Sequence, residues 1–132
     1  MYLLDTNICI YIIGKRSTDL IDKFKSAKLE GKIGISTITY AELQYGVAKS
    51  SRQNENQIAL AQFLIPLITF DFNEKAGSLF GEIRASLEKQ GKVIGSYDIL
   101  IAAHAMALNA TLITNNESEF RRIEGLRVEN WV

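Results

Sequence analysis

The sequence predicts a single α/β domain over residues 1–132, a parallel sheet with helices on both faces. Short apolar runs recur at Tyr2–Leu4, 33–35, 67–69, Thr111–Ile113 and, less strongly, 126–128. Each is apolar at successive positions, the mark of a strand buried on both sides, and helix-like sequence separates it from the next. Strands alternating with helices give a parallel sheet. The chain has one proline, Pro66, and no repeat or low-complexity tract that would mark a linker.

Taken in order, Tyr2–Leu4 is followed at once by Asp5, Thr6 and Asn7, a polar start for a helix over 7–13 that Asp5 can cap. After the second run, Ser36 or Thr37 can cap a helix passing through Ala41, Glu42 and Leu43 towards Lys49. Asn73 can cap a helix over 74–90 that stops at Gly91. Its Ala76, Leu79, Phe80, Ile83 and Leu87 form an apolar stripe at spacings of three and four, with Glu82, Glu88 and Lys89 outside. Residues 99–107 are apolar nearly all round except at His104, so that helix belongs in the interior or against a partner. Gly95 and Ser96 precede it and put Asp98 in its first turn. The last strong run leads into Thr114, Asn115, Asn116 and Glu119.

Composition narrows the possibilities. Apolar residues make up 47% of the 132, enough for a substantial core. No apolar stretch is long enough to span a bilayer, and Met1 leads into a strand instead of a basic signal, so a cytoplasmic protein with no membrane attachment is expected. The lone cysteine, Cys9, lies between Ile8 and Ile10 and reads as a small buried hydrophobe. Fifteen basic residues balance fifteen acidic ones, so bulk charge does not announce a nucleic-acid binder. The basic residues do fall in pairs, Lys15 with Arg16, Lys49 with Arg52, Lys89 with Lys92 and Arg121 with Arg122, which a folded RNA could touch through its phosphates.

Open parallel sheets gather function outside the carboxyl ends of their strands. Asp5, Glu42, Asp98 and Glu119 all fall at one such rim. Each has an ordinary alternative as a helix cap, a first-turn acid or a solvated surface residue. Together they form a cluster of carboxylates that repel one another unless a cation offsets them. Oxygen donors without a matching His or Cys set suit Mg²⁺ or Mn²⁺, and such a site suits hydrolysis of a phosphodiester. His104 is six residues from Asp98, about 600° of helix rotation and so roughly 120° out of line, and reads as a core or interface histidine. Trp131 reads as an anchor for the terminal strand, and Asp71 as a loop residue.

DTN at 5–7, YAEL at 40–43, GSYDILIAAHA at 95–105 and TNNESEFRRIEGL at 114–126 together resemble the PIN-domain ribonucleases, and more narrowly the VapC toxins of type II toxin-antitoxin pairs. The resemblance covers essentially the whole chain in the right order. It implies strand order 3-2-1-4-5, a Mg²⁺- or Mn²⁺-dependent endoribonuclease, inhibition by a VapB-type antitoxin, and homodimers that reach operator DNA through that antitoxin. It implies that Asp5, Glu42 and Asp98 serve metal and catalysis, that Thr6 or Asn7 supplies the polar residue beside the first acid, and that Thr114 supplies a supporting hydroxyl. Many relatives carry aspartate directly after strand four, where this chain has Asn115 and Asn116; Asn116 as a metal ligand and Glu119 as an acid are the candidates to complete the site. Relatives with this ending resemble enzymes that cut structured RNA such as tRNA. A binding module with weakened catalysis in a repressor complex is the alternative, and a flap-type DNA nuclease, which needs a longer chain, is a third.

Overall fold

A computed structural model describes residues 1–132. Its elements run β1 (Tyr2–Leu4), α1 (Thr6–Ile13), α2 (Thr18–Glu30), β2 (Ile33–Ser36), α3 (Thr37–Ala48), α4 (Gln53–Leu64), β3 (Ile68–Phe70), α5 (Glu74–Lys89), α6 (Ser96–Ala107), β4 (Thr111–Ile113), α7 (Glu117–Phe120) and β5 (Val128–Glu129). All five strands are parallel, in the order β3-β2-β1-β4-β5. The order implied by the resemblance is therefore the one the fold adopts.

Why the strands read as unbroken apolar runs is visible at β1. Leu3 joins a core with Ile83, Leu87, Ile99 and Leu112 on the α5–α6 side. Leu4 joins a second core with Ile8, Leu20, Phe24, Leu43, Leu60 and Ile113 on the other side. Successive side chains enter opposite cores, so neither face can afford a polar residue. The α6 helix is interior: Ile99 and Ile101 to Ala105 are all buried within the chain. No helix is long and apolar enough to cross a membrane.

Two strands sit slightly later than the sequence pattern suggests. Leu67 donates its amide to Leu64 and closes a turn, so β3 begins at Ile68 instead of Leu67. Gly125, at φ +84°, and the Leu126 amide bond to Ile123 occupy the chain before β5, which begins at Val128 instead of Leu126. Trp131 is buried, sets its ring edge-on to Tyr2 with centroids 5.0 Å apart, and anchors the end of the chain against β1. At Gly34 the neighbouring strand comes so close that a Cβ would stand 2.4 Å from the Ile68 carbonyl oxygen and 2.6 Å from the Phe70 ring.

Strand order reverses between β1, whose successors lie to one side, and β4, whose successor lies to the other. A crevice opens at the carboxyl ends of such a pair. Here those ends are Leu4 and Ile113, so the residues delivered to the crevice are Asp5 and Thr114.

Candidate active site

Asp5 is the only residue between β1 and α1. Its amide donates to the Ile113 carbonyl at 3.0 Å, which extends the β1–β4 pairing into the crevice. Its Oδ1 accepts the Ile8 amide at 2.8 Å, capping α1. The capping role and a place in the acidic cluster thus belong to one side chain. Asp5 is only 5% exposed, and burial pushes its carboxyl from 3.8 up to about 6. The Thr114 hydroxyl and the Ile8 amide pull the other way, and the charges of Asp98 and Glu42 add to the rise.

Glu42 lies in the second turn of α3, whose first turn Ser36 fixes by accepting the Ile38 amide at 3.0 Å. Thr6 donates to Glu42 Oε1 at 2.6 Å and stands 3.4 Å from the hydroxyl of Thr39, which is fully buried. The first turn of α1 is thereby tied to α3. Thr39 escaped the sequence reading, although its i, i+3 spacing from Glu42 puts the two on one helix face and is the signal that could have found it. Asp98, half-buried in the first turn of α6, has its carboxyl raised by burial and then by the charges of Glu119 and Glu42. Glu119 sits in α7, and Asn116 donates its side-chain amide to Glu119 Oε2 at 2.9 Å. The Asn116 backbone amide donates to the Thr114 hydroxyl at 2.9 Å.

Asp98 therefore stands within electrostatic reach of Asp5, Glu42 and Glu119, and Asp5 within reach of Glu42. Asn7 and Asn115 stand apart: Asn7 is exposed, and Asn115 is exposed and accepts from Asn130 at 3.1 Å. Asp71 is an exposed loop residue, and His104 is buried with Nδ1 2.7 Å from the Ser36 hydroxyl. The only ion pairs in the chain are Arg52–Glu55, Arg84–Glu88 and Arg121–Glu117, so no lysine or arginine offsets any of the four acids. Nor do three His, Cys, Asp or Glu side chains already stand close enough to form a ready-made metal cage. A hard cation fits the donor set by chemistry: oxygen donors only, in excess of local positive charge, with two carboxyls raised by being buried together. Such an ion would retain waters and draw on substrate oxygens, as Mg²⁺ does in sites with few protein ligands.

Comparison with known proteins places this geometry in context. The family model of the PIN domain matches residues 2–126. The ribonuclease VapC2 of Rickettsia felis is 47% identical over 131 residues, covering 99% of this chain and 98% of that protein. The tRNA(fMet)-specific endonuclease VapC of Shigella flexneri is 37% identical over 130 residues, covering 98% and 97%. Among solved structures, VapBC2 of Rickettsia felis bound to a DNA fragment from its promoter superposes with a TM-score of 0.94 at 46% identity, over 99% of this chain and 98% of that one.

Proposed function

The chain belongs to the PIN-domain family and, within it, to the VapC ribonucleases, and from that membership we propose that it cuts structured RNA of the tRNA class at the crevice between β1 and β4. It is a ribonuclease toxin whose partner is a VapB-type antitoxin. The observation that carries the catalytic assignment is Asp5: a buried carboxylate pushed up to about 6, with Asp98 and Glu42 adding to the rise and no basic side chain to offset it.

PIN nucleases generally depend on a divalent metal, and here Asp5, Asp98 and Glu42, with the Asn116 side chain, would hold Mg²⁺ or Mn²⁺. When bound, such an ion supplies Lewis acidity towards the attacking water and the scissile phosphate. The residues of the chain do the remaining work. Asp5 and Asp98, charged once a cation is present, orient that water. Thr6 holds the Glu42 carboxylate through a 2.6 Å bond, and Asn116 holds Glu119 through one of 2.9 Å, so both flanking acids are fixed before substrate arrives. Glu119, held by Asn116, would serve as the further acid, and the Thr114 hydroxyl would support Asp5. The basic pairs Lys15–Arg16 and Lys49–Arg52 follow the ends of α1 and α3, the two helices joined at the site through Thr6 and Glu42, and would take RNA phosphates.

The same reading makes the protein cytoplasmic, gives it a homodimeric form, and lets it reach operator DNA through the antitoxin, as the promoter-bound relative suggests. The neutral Asn115 and Asn116 motivate a second reading, a binding module with weakened catalysis in a repressor complex. One experiment separates the two. Purified protein incubated with tRNA and Mn²⁺ is expected to cleave, to stop in excess EDTA, to spare a matched DNA hairpin, and to be inactive as Asp98→Asn with unchanged circular dichroism. Cleavage that persists in EDTA refutes the metal-dependent mechanism, and absence of both cleavage and calorimetric Mn²⁺ binding supports the binding module.

A further inference from the structure

One buried polar pair plays no part in the chemistry assigned above. His104, the only histidine in the chain, is 1% exposed in a helix whose neighbouring positions are alanine and isoleucine. Its Nδ1 lies 2.7 Å from the hydroxyl of Ser36, which is itself fully buried. Burial of two polar groups in an apolar layer is costly unless they satisfy each other. No buried side-chain polar atom in the chain lacks a partner.

The direction of that bond follows from the rest of the site. Ser36 Oγ already accepts the Ile38 amide at 3.0 Å as the cap of α3. Its own proton is left to donate, and the Nδ1 lone pair is the acceptor beside it. The Asp71 backbone raises the imidazole's affinity for a proton, which favours a ring N–H on the side that faces it. A neutral ring with Nδ1 bare satisfies both partners. Around it, the Phe72 ring meets the imidazole edge-on at 5.4 Å, and the Phe72 amide donates to the Thr37 hydroxyl at 3.1 Å. His104 thus joins three segments: α6, which carries Asp98; the β2–α3 junction, which begins the helix carrying Thr39 and Glu42; and the chain following β3.

We propose that His104 is a positioning residue: by accepting from the Ser36 hydroxyl it locks the N-terminus of α3 against α6 and so sets where Glu42 stands relative to Asp98. The proposal rests on Glu42 and Asp98 acting in RNA cleavage. It assigns His104 no contact with substrate or metal, and it explains why a helix otherwise closed by apolar side chains carries an imidazole six residues past Asp98.

Two measurements test it. In ¹⁵N-labelled native protein at pH 7.5 the single histidine gives one pair of ring signals, and Nδ1 is expected to be the pyridine-type nitrogen; a protonated Nδ1 overturns the proposal without any variant. For kinetics on tRNA with Mn²⁺, H104L is expected to lower kcat about 10- to 100-fold at nearly unchanged KM, the penalty for a small misplacement of a catalytic group. H104N, which keeps an acceptor near the Nδ1 position, recovers most of that loss; S36A, which also strips the cap of α3, loses at least as much; and adding H104L to S36A lowers kcat no further. A kcat for H104L equal to that of the native protein, H104N as impaired as H104L, or losses that add in the double variant each overturn it. If H104L does not fold, H104N, S36A and the tautomer decide. If Asp98→Asn cleaves like the native protein, the ribonuclease site itself is misassigned, a result the tautomer measurement does not share.

Discussion

Asp5→Asn should make the metal-free protein more stable while abolishing its activity. The Asp5 carboxyl stands at about 6 in the fold against an ordinary 3.8, so the folded protein binds this proton more tightly than the unfolded chain does. The stability linked to it is fully present below pH 3.8 and is lost as pH rises through 6. At pH 8 the charged form therefore costs of order 3 kcal/mol in the metal-free protein. Asparagine carries no charge and caps a helix as well as aspartate does, so the Ile8 amide keeps its acceptor. In EDTA at pH 8 the variant should gain roughly 3 kcal/mol, or on the order of 10 °C in melting temperature for a chain of this size, and the gain should shrink to nothing towards pH 4. Added Mn²⁺ should raise the melting temperature of the native protein by mass action and leave the variant unmoved. Differential scanning calorimetry across this pH range is the assay. A variant that melts at or below the native protein at pH 8 would refute the reasoning, because it would mean that Asp5 is not an uncompensated buried charge.

Thr6→Val removes the 2.6 Å bond to Glu42; with a charge-assisted bond worth about 1.5–3 kcal/mol, single-turnover cleavage should slow about 10- to 100-fold, and Thr6→Ser should restore it. Asn116→Asp replaces a donor to Glu119 with a further carboxylate, so the metal-free protein should lose stability while calorimetric Mn²⁺ affinity rises about tenfold, roughly 1.4 kcal/mol. Gly34→Ala places a methyl 2.4 Å from the Ile68 carbonyl oxygen and should cost about 1–3 kcal/mol by forcing β2 from β3, read as a lower urea midpoint. An unchanged midpoint would mean that the two strands separate at no cost.

The parts of the fold legible in the sequence were those where burial on both sides leaves unbroken apolar runs: β1, β2 and β4 in the middle of the sheet. The limits of the edge strands are less legible for a physical reason. Ile68 is 47% exposed and Glu129 is exposed, so composition signals their limits poorly and turn hydrogen bonds set them instead. Helices α2 and α4 are legible only as helix-like sequence between strands, since their faces are mostly polar. At the candidate site, Asp5, Glu42, Asp98 and Glu119 are legible because each lies just past a strand or in the first turns of a helix at one rim. The bonds that organise them are not: Thr6 with Thr39 and Glu42 joins residues more than thirty positions apart, and Ser36 with His104 spans sixty-eight. Spacing along one helix can say that His104 turns away from Asp98. It cannot say that the imidazole reaches the cap of another helix.

Between β1 and α1 the backbone has no slack: one residue both ends the strand and starts the helix, and its amide is tied to the adjacent strand. The side of the pocket that Asp5 frames therefore has no loop to order before a ligand binds. Once a bound inhibitor leaves, the Asp5 carboxyl should be in place for a cation at once, with no refolding of that junction to wait for.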